Sequence, residues 1–370
     1  MSAPVYLHIG LQKTGTSYLQ TIFWANEEEL AAQGLDMLPG SRGESFQLML
    51  DVRDRLQPFD PPQARAILPS LTARLDAARG SRVLISEESF SPCTDEQIER
   101  LLGPLGGREV HAIVTCRDAA RQIPSLWQQG LQSGRSIELA DLLRRLRATE
   151  DAAARGRSRG VWRQVDLVAV LTRWARHIPP ERIHVVTVPP AGAPHDELLS
   201  RFCRVLGVDP TRLDAEVAGR ANRGLRLEQA EVLRRVNEQV PDELKRRDAY
   251  GNVGKRWLAV RILGGAEGRR ILLPASEADW CEAVARRQVE HLRSGGYDVV
   301  GDADDLLPRP ESFAPDEQLV TDEQVAAAAT AALTAIVTER LTRELDRDTA
   351  RSGSGRRPRL RGLGARLRRR

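Results

Sequence analysis

His8-Ile9-Gly10-Leu11-Gln12-Lys13-Thr14-Gly15-Thr16-Ser17 is the stretch from which the rest of the chain is read. A short apolar run, Val5-Tyr6-Leu7, precedes it, and Leu19, Ile22 and Phe23 follow at helical spacing. Strand, glycine loop and helix, in that order, form the arrangement in which backbone N–H groups and a helix N-terminus cradle a phosphate.

The loop is close to the GxxxxGK[ST] template of nucleoside triphosphate loops, with Gly10 and Gly15 at the required spacing and Ser17 closing it. Thr16 stands where that template needs lysine, and the lysine has moved back to Lys13. Only three of the 55 basic residues are lysines: Lys13, Lys245 and Lys255. The loop therefore carries a lysine where this chain otherwise uses arginine. A compact ammonium fits a tight anion loop, whereas a planar guanidinium needs more room. The displacement changes the expected ligand, and with it the expected function.

At 370 residues, 41% hydrophobic and 29% charged, the chain has the composition of a soluble globular protein with a full core. The net charge is +4, but residues 351–370 hold nine arginines and no acid, so the remainder is net acidic. The basic balance belongs to this tail and does not mark the fold as a nucleic-acid binder. The tail reads as a segment without a fold, able to be drawn weakly to an anionic membrane surface. Cys93, Cys116, Cys203 and Cys281 are far apart and form no CxxC pair, which fits a reduced, cytoplasmic setting. No signal-peptide pattern opens the chain. The stretch Val325–Val337 reads as too short and too weakly apolar to span a bilayer.

Periodicity predicts strands over 4–9, 82–86, 110–116 and 182–188. It predicts helices over 15–33, 63–79, 95–102, 119–133, 137–148 and 166–177 between and after them. Residues 40–62 mix glycine, proline and charge and read as an irregular surface excursion. The second half is mainly helical, over 196–206, 226–239, 276–293 and 321–345, with Ser276 and Asp279 as a capping box. The alternation implies an α/β fold with a central parallel sheet, right-handed crossovers and a helical C-terminal part. Ligands of such sheets bind beyond the carboxyl ends of the strands. Lys13, the pair Glu87 and Glu88, and Arg117 all fall at such ends.

Gly10-Leu11-Gln12-Lys13-Thr14-Gly15-Thr16-Ser17 resembles the 5′-phosphosulfate loop of sulfotransferases that use 3′-phosphoadenosine 5′-phosphosulfate (PAPS). A second element resembles the same family: Arg117 just after a strand, with Ser125 eight residues later on the following helix. Ser86-Glu87-Glu88, Trp174-Ala175-Arg176-His177 and Gly296-Tyr297-Asp298-Val299-Val300-Gly301-Asp302 are similar to segments of bacterial sulfotransferase family proteins. The resemblance covers roughly residues 5–310, most firmly to about 205. It implies a three-layer, P-loop NTPase-like fold over 1–310, followed by a helical extension over 311–350 and the Arg-rich tail over 351–370. The Arg-Lys-Gly segment that closes over the nucleotide in the cytosolic small-molecule branch is absent, and Arg220-Ala221-Asn222-Arg223-Gly224 is the substitute this chain offers.

The resemblance assigns Lys13 to the 5′-phosphate and bridging oxygen, with Gly10, Thr14, Gly15, Thr16 and Ser17 supplying backbone and hydroxyl donors. It assigns Arg117 and Ser125 to the 3′-phosphate. PAPS is then the co-substrate and a hydroxyl-bearing carbohydrate, lipid or secondary metabolite the acceptor, with no metal required. Such transfer needs in-line positioning and stabilisation of charge on the leaving phosphate. The acceptor hydroxyl needs a base. Glu88 is the first candidate, Glu87 the second and His8 a third. Trp127 and Trp174 read as core residues. A P-loop kinase or other NTPase, and a non-catalytic nucleotide-binding protein of the same fold, are the alternative functions. The sequence specifies neither the acceptor nor the oligomeric state.

Overall fold

Val83, Ile85, Ala112 and Val114 point to one side of a sheet and belong to one buried cluster; Leu84 and Ile113, between them in sequence, point to the other side and belong to a second. Strands with side chains buried on both faces are the signature of a parallel sheet covered by helices. The computed structural model describes residues 2–154, 161–219 and 224–351. Its strands are β1 (Val5–His8), β2 (Leu35–Leu38), β3 (Arg82–Ser86), β4 (Val110–Cys116), β5 (Ile183–Thr187), β6 (Leu273–Pro274), β7 (Asp298–Val300) and β8 (Phe313–Ala314). Six of them form one parallel sheet in the order β2-β3-β1-β4-β5-β7, and β6 pairs with β8 separately. The fold is α/β with a central parallel sheet flanked by helices.

The helix Thr16–Ala25 buries Leu19, Ile22 and Phe23 on one face of the sheet, together with Leu198 and Phe202 from the helix Glu197–Leu206. The opposite face receives Leu71, Ile98, Leu171 and Trp174. Each such apolar side chain contributes about 1.5–3 kcal/mol through burial. A separate core joins Ile123, Leu126 and Trp127 of the helix Ala119–Gln132 to Leu227 and Leu233, Ala259, Val284, and Val325 and Ala328 of the last helix, Asp322–Arg351. Trp127 and Trp174 are both buried, with their indole N–H groups donating to the carbonyls of Ile137 (2.7 Å) and Ser91 (3.4 Å).

Several expectations are corrected. Residues 40–62 are not an irregular excursion, because Arg42–Val52 is a helix whose N-terminus is capped by Ser41 accepting from the Glu44 N–H at 3.1 Å. Pro39, Gly40 and Gly43 around its start masked the periodic burial of Ser45, Leu48, Met49 and Val52. The helix expected over 15–33 breaks at Asn26, whose side-chain Nδ2 donates to the Ile22 carbonyl at 2.8 Å and whose Oδ1 accepts from the Asp214 N–H at 2.8 Å. The chain then enters β2, an edge strand of four residues that was not predicted. Ser276 and Asp279 form no capping box: residues 275–277 make a 3-10 turn, and the helix Ala278–Ser294 starts from Glu277 without a side-chain cap. By length and composition alone, the helix over residues 322–347 is long and apolar enough to cross a membrane, unlike the shorter Val325–Val337 stretch. The tail from 352 onward lies outside the described residues.

Candidate functional site

The loop leaves β1 still attached to β4. The Ile9 and Leu11 N–H groups donate to the Ile113 and Thr115 carbonyls at 2.9 and 2.8 Å. Gly10, Lys13 and Gly15 all have positive φ, at 52°, 66° and 87°. Lys13 is thus a side-chain-bearing residue held in a conformation that L residues rarely adopt, which costs of order 1–3 kcal/mol. At Gly15 the φ of 87° favours glycine, and an added Cβ would also displace the tip of Leu198. The helix Thr16–Ala25 has no side-chain cap, leaving its first N–H groups available to an anion.

Lys13 is half-buried and does not project into bulk solvent. Burial lowers its pKa, and the nearby cations Lys255 and Arg117 lower it further, while Glu88 opposes them. Thr14 is fully buried and its hydroxyl is committed to the scaffold, donating to the Leu11 carbonyl at 2.5 Å and bonded to the Thr115 hydroxyl at 2.6 Å. Its side chain therefore braces the loop, contrary to the expected hydroxyl contact with a phosphate, and only its N–H remains for that task. Thr16, where a triphosphate loop would place lysine, is buried and would touch any Cβ added at Gly10.

The Glu87 N–H donates to the His8 carbonyl at 2.9 Å, so the end of β3 runs beside the start of the loop. Glu87 is buried, and its carboxylate accepts from the Ser89 N–H at 3.0 Å. Burial and then the charge of Glu88 push the Glu87 pKa up to about 7, against the Ser89 hydrogen bonds and Arg42. Glu88 is half-buried against Gly10 and accepts from the Gln20 amide at 3.1 Å. Gln20, on the helix that follows the loop, also donates to Ser86 Oγ at 3.3 Å and thereby ties the helix to the end of β3. His8 is packed: its ring nitrogens meet Ser86 Oγ at 2.8 Å and Thr115 Oγ1 at 3.5 Å, and burial depresses its pKa to about 3. Its enclosure within the sheet and its lowered proton affinity disfavour it as a base.

Arg117 follows β4. Asp118 does not pair with it; that carboxylate caps the helix Ala119–Gln132 by accepting from the Arg121 N–H at 2.9 Å and binds the Arg121 guanidinium. Arg117 is left with a buried Nε that has no partner. Burial, then Arg121 and also Arg270, lower its pKa to about 10 despite Asp118. Arg117 and Ser125 line one cavity of about 150 Å³ together with Arg121, Gln128, Arg226 and Arg270. Arg220, Ala221, Asn222 and Arg223 lie outside the described residues. Gly224 and Leu225 approach Gln128, whose side chain accepts from the Leu225 N–H at 3.0 Å.

Sequence reasoning missed four residues here. Arg226 and Arg270 reach the Arg117 cavity from distant segments that no spacing connects. Gln20 could have been found as a polar residue on the buried face of the first helix. Lys255, one of the three lysines, sits on the π-helix Gly251–Ile262. The residue is exposed overall, yet desolvation lowers the pKa of its ammonium, against Glu88. Loop N–H groups, two lysines, a carboxylate pair and an arginine cavity thus surround the carboxyl ends of β1, β3 and β4. This arrangement can neutralise a multiply charged anion at two separate stations.

No protein-family model and no curated protein matches this chain. Among solved structures, the crystal structure of a sulfotransferase from Alicyclobacillus acidocaldarius matches 66% of this chain and 100% of its own, at 14% identity and a TM-score of 0.38. The α/β architecture stands on the strand order itself rather than on that superposition.

Proposed function

We propose that this protein is a sulfotransferase that moves a sulfuryl group from PAPS to a hydroxyl of a carbohydrate, lipid or secondary metabolite. The observation that carries the reading is the pairing of two cationic stations. One is Lys13 withdrawn into a positive-φ loop; the other is Arg117, with an unpartnered buried Nε, sharing a cavity with Ser125. A nucleotide with phosphates at both its 5′ and 3′ positions matches two such stations. A triphosphate needs a lysine where Thr16 is buried.

PAPS supplies the activated sulfuryl group. The chain's own residues neutralise, orient and deprotonate around it. Gly10, Lys13, Thr14, Gly15, Thr16 and Ser17 hold the 5′ side. Lys13, its pKa lowered, stabilises charge growing on the leaving oxygen, and a preorganised donor of this kind contributes about 10²–10³-fold. Arg117 grips the 3′-phosphate through its guanidinium fork, and Ser125, whose hydroxyl donates to the Arg121 carbonyl at 3.1 Å without ligand, turns from that bond to add a neutral donor. Glu88, packed against Gly10, is the first candidate for the base. Glu87, its pKa raised to about 7 by burial and then by the charge of Glu88, is the second, with the proton affinity a base needs at neutral pH.

The test is transfer of radiolabelled sulfate from PAPS to acceptors in a fractionated cell extract. Label on a hydroxyl-bearing product, lost with Lys13→Ala, supports the reading. Transfer of the γ-phosphoryl of ATP instead would establish a kinase.

A further inference from the structure

Many arginines among the described residues are ion-paired: Arg100 lies against Asp51 and Asp54, for example, and Arg201 against Asp305. A cluster away from the Arg117 cavity is not. Arg53, Arg55, Arg135 and Arg163 line a cavity of about 380 Å³ beside Gln12 and Gln129, and no carboxylate lines it. Among the described residues, none of these four arginines is ion-paired. Arg53 donates to the Ser89 carbonyl at 2.9 Å and Arg163 to the Pro92 carbonyl at 3.0 Å. The Nε atoms of both remain buried without a partner, as does Oε1 of Gln129. Desolvation, then Arg55 and also Arg163, depress the Arg53 pKa, and Glu87 is the acidic neighbour that opposes them.

Like charges held together without counter-charge repel, and an anion brought among them relieves the repulsion. Guanidinium forks match the two oxygens of a carboxylate or sulfate. The volume lies within the range of small-molecule sites. The place is equally informative. Gln12 immediately precedes Lys13, and its carbonyl is held by the Gln122 amide at 2.7 Å, so the cavity adjoins the anion loop. It shares no lining residue with the Arg117 cavity, so the two anion sites are separate.

We propose that the cavity of Arg53, Arg55, Arg135 and Arg163 binds an oxyanion, carboxylate or sulfate, carried by the acceptor, which makes the acceptor an acidic molecule such as an acidic saccharide. The assignment to an acceptor rests on the sulfuryl-transfer reading above. With the anionic group seated among these arginines, a neighbouring hydroxyl is presented toward Lys13 and Glu88.

The experiment is calorimetric titration of protein holding adenosine 3′,5′-bisphosphate with three probes. These are a short oligogalacturonate, its carboxyl-reduced neutral counterpart, and a sulfated neutral oligosaccharide. Arg55→Ser/Arg135→Ser alters two exposed residues, and Arg163→Gln is the second variant. The proposal expects at least one charged probe to bind and the neutral one to fail. Each variant should weaken the charged probe about tenfold or more and leave bisphosphate affinity unchanged. Which charged probe binds separates carboxylate from sulfate. Equal binding of the neutral probe, variants with unaltered affinity, or no binding of either charged probe would overturn the proposal while the donor reading stands. If the bisphosphate itself fails to bind, yet charged-probe binding is lost in the variants, the donor reading falls and the anion cavity remains.

Discussion

Gly10 passes so close to Glu88 that a Cβ on the glycine would lie 2.9 Å from the Cβ of the glutamate. The anion loop and the carboxylate pair are therefore set against each other by backbone contact rather than by a flexible side chain. Gly10→Ala would also meet Thr16 Cγ2 at 2.8 Å and hold alanine at a φ of 52°. Its expected cost is about 1–3 kcal/mol, read as a lower midpoint in urea unfolding. Wild-type stability in this variant would show that the loop can move away from Glu88.

Lys13 can be separated from its backbone conformation. Lys13→Gly keeps the positive φ without strain and removes the side chain with its ammonium. Turnover should fall by about 10²–10³-fold while thermal stability holds or rises. Lys13→Ala should lose as much activity and, keeping the strained φ, gain no stability. Retained turnover in Lys13→Gly would take the ammonium out of the chemistry.

Arg117→Ala removes a half-buried cation whose Nε has no partner. Affinity for adenosine 3′,5′-bisphosphate should fall by about 10-fold to 10²-fold, with affinity for adenosine 5′-monophosphate little changed. Titration calorimetry separates the two ligands. An equal loss for both would place Arg117 away from the 3′-phosphate.

The Glu87 pKa, raised from 4.5 to about 7, makes a stability prediction with a definite sign. Folding favours the protonated acid. The stabilisation is complete below pH 4.5 and is lost as pH rises through about 7. Glu87→Gln retains an acceptor for the Ser89 N–H and no longer has a charge to bury. Its stability relative to wild type should rise across that window by an amount on the order of 1–3 kcal/mol. A difference that is flat with pH would show Glu87 to be ionised and solvated in the folded state.

The sheet was legible because the strand centres Val83-Leu84-Ile85 and Ala112-Ile113-Val114 are continuous apolar runs, the pattern that burial on both faces imposes. β2 was not, because four edge residues between glycine and proline carry little periodic signal. The loop residues and the meeting of Arg117 with Ser125 could be read locally, since a strand end and the next helix turn hold them together. Arg226, Arg270 and Lys255 could not, because crossovers bring them in from the second half of the chain. Thr14 shows the opposite limit: sequence pattern places it in an anion loop, but only packing reveals that its hydroxyl is bonded to Thr115.

The most direct measurement of the central claim is the melting temperature with adenosine 3′,5′-bisphosphate and, separately, with ATP and Mg²⁺. Binding to the folded state alone raises the melting temperature. The account predicts a rise with the bisphosphate, abolished in Lys13→Gly/Arg117→Ala, and none with ATP and Mg²⁺. A rise with ATP and Mg²⁺ and none with the bisphosphate would contradict it.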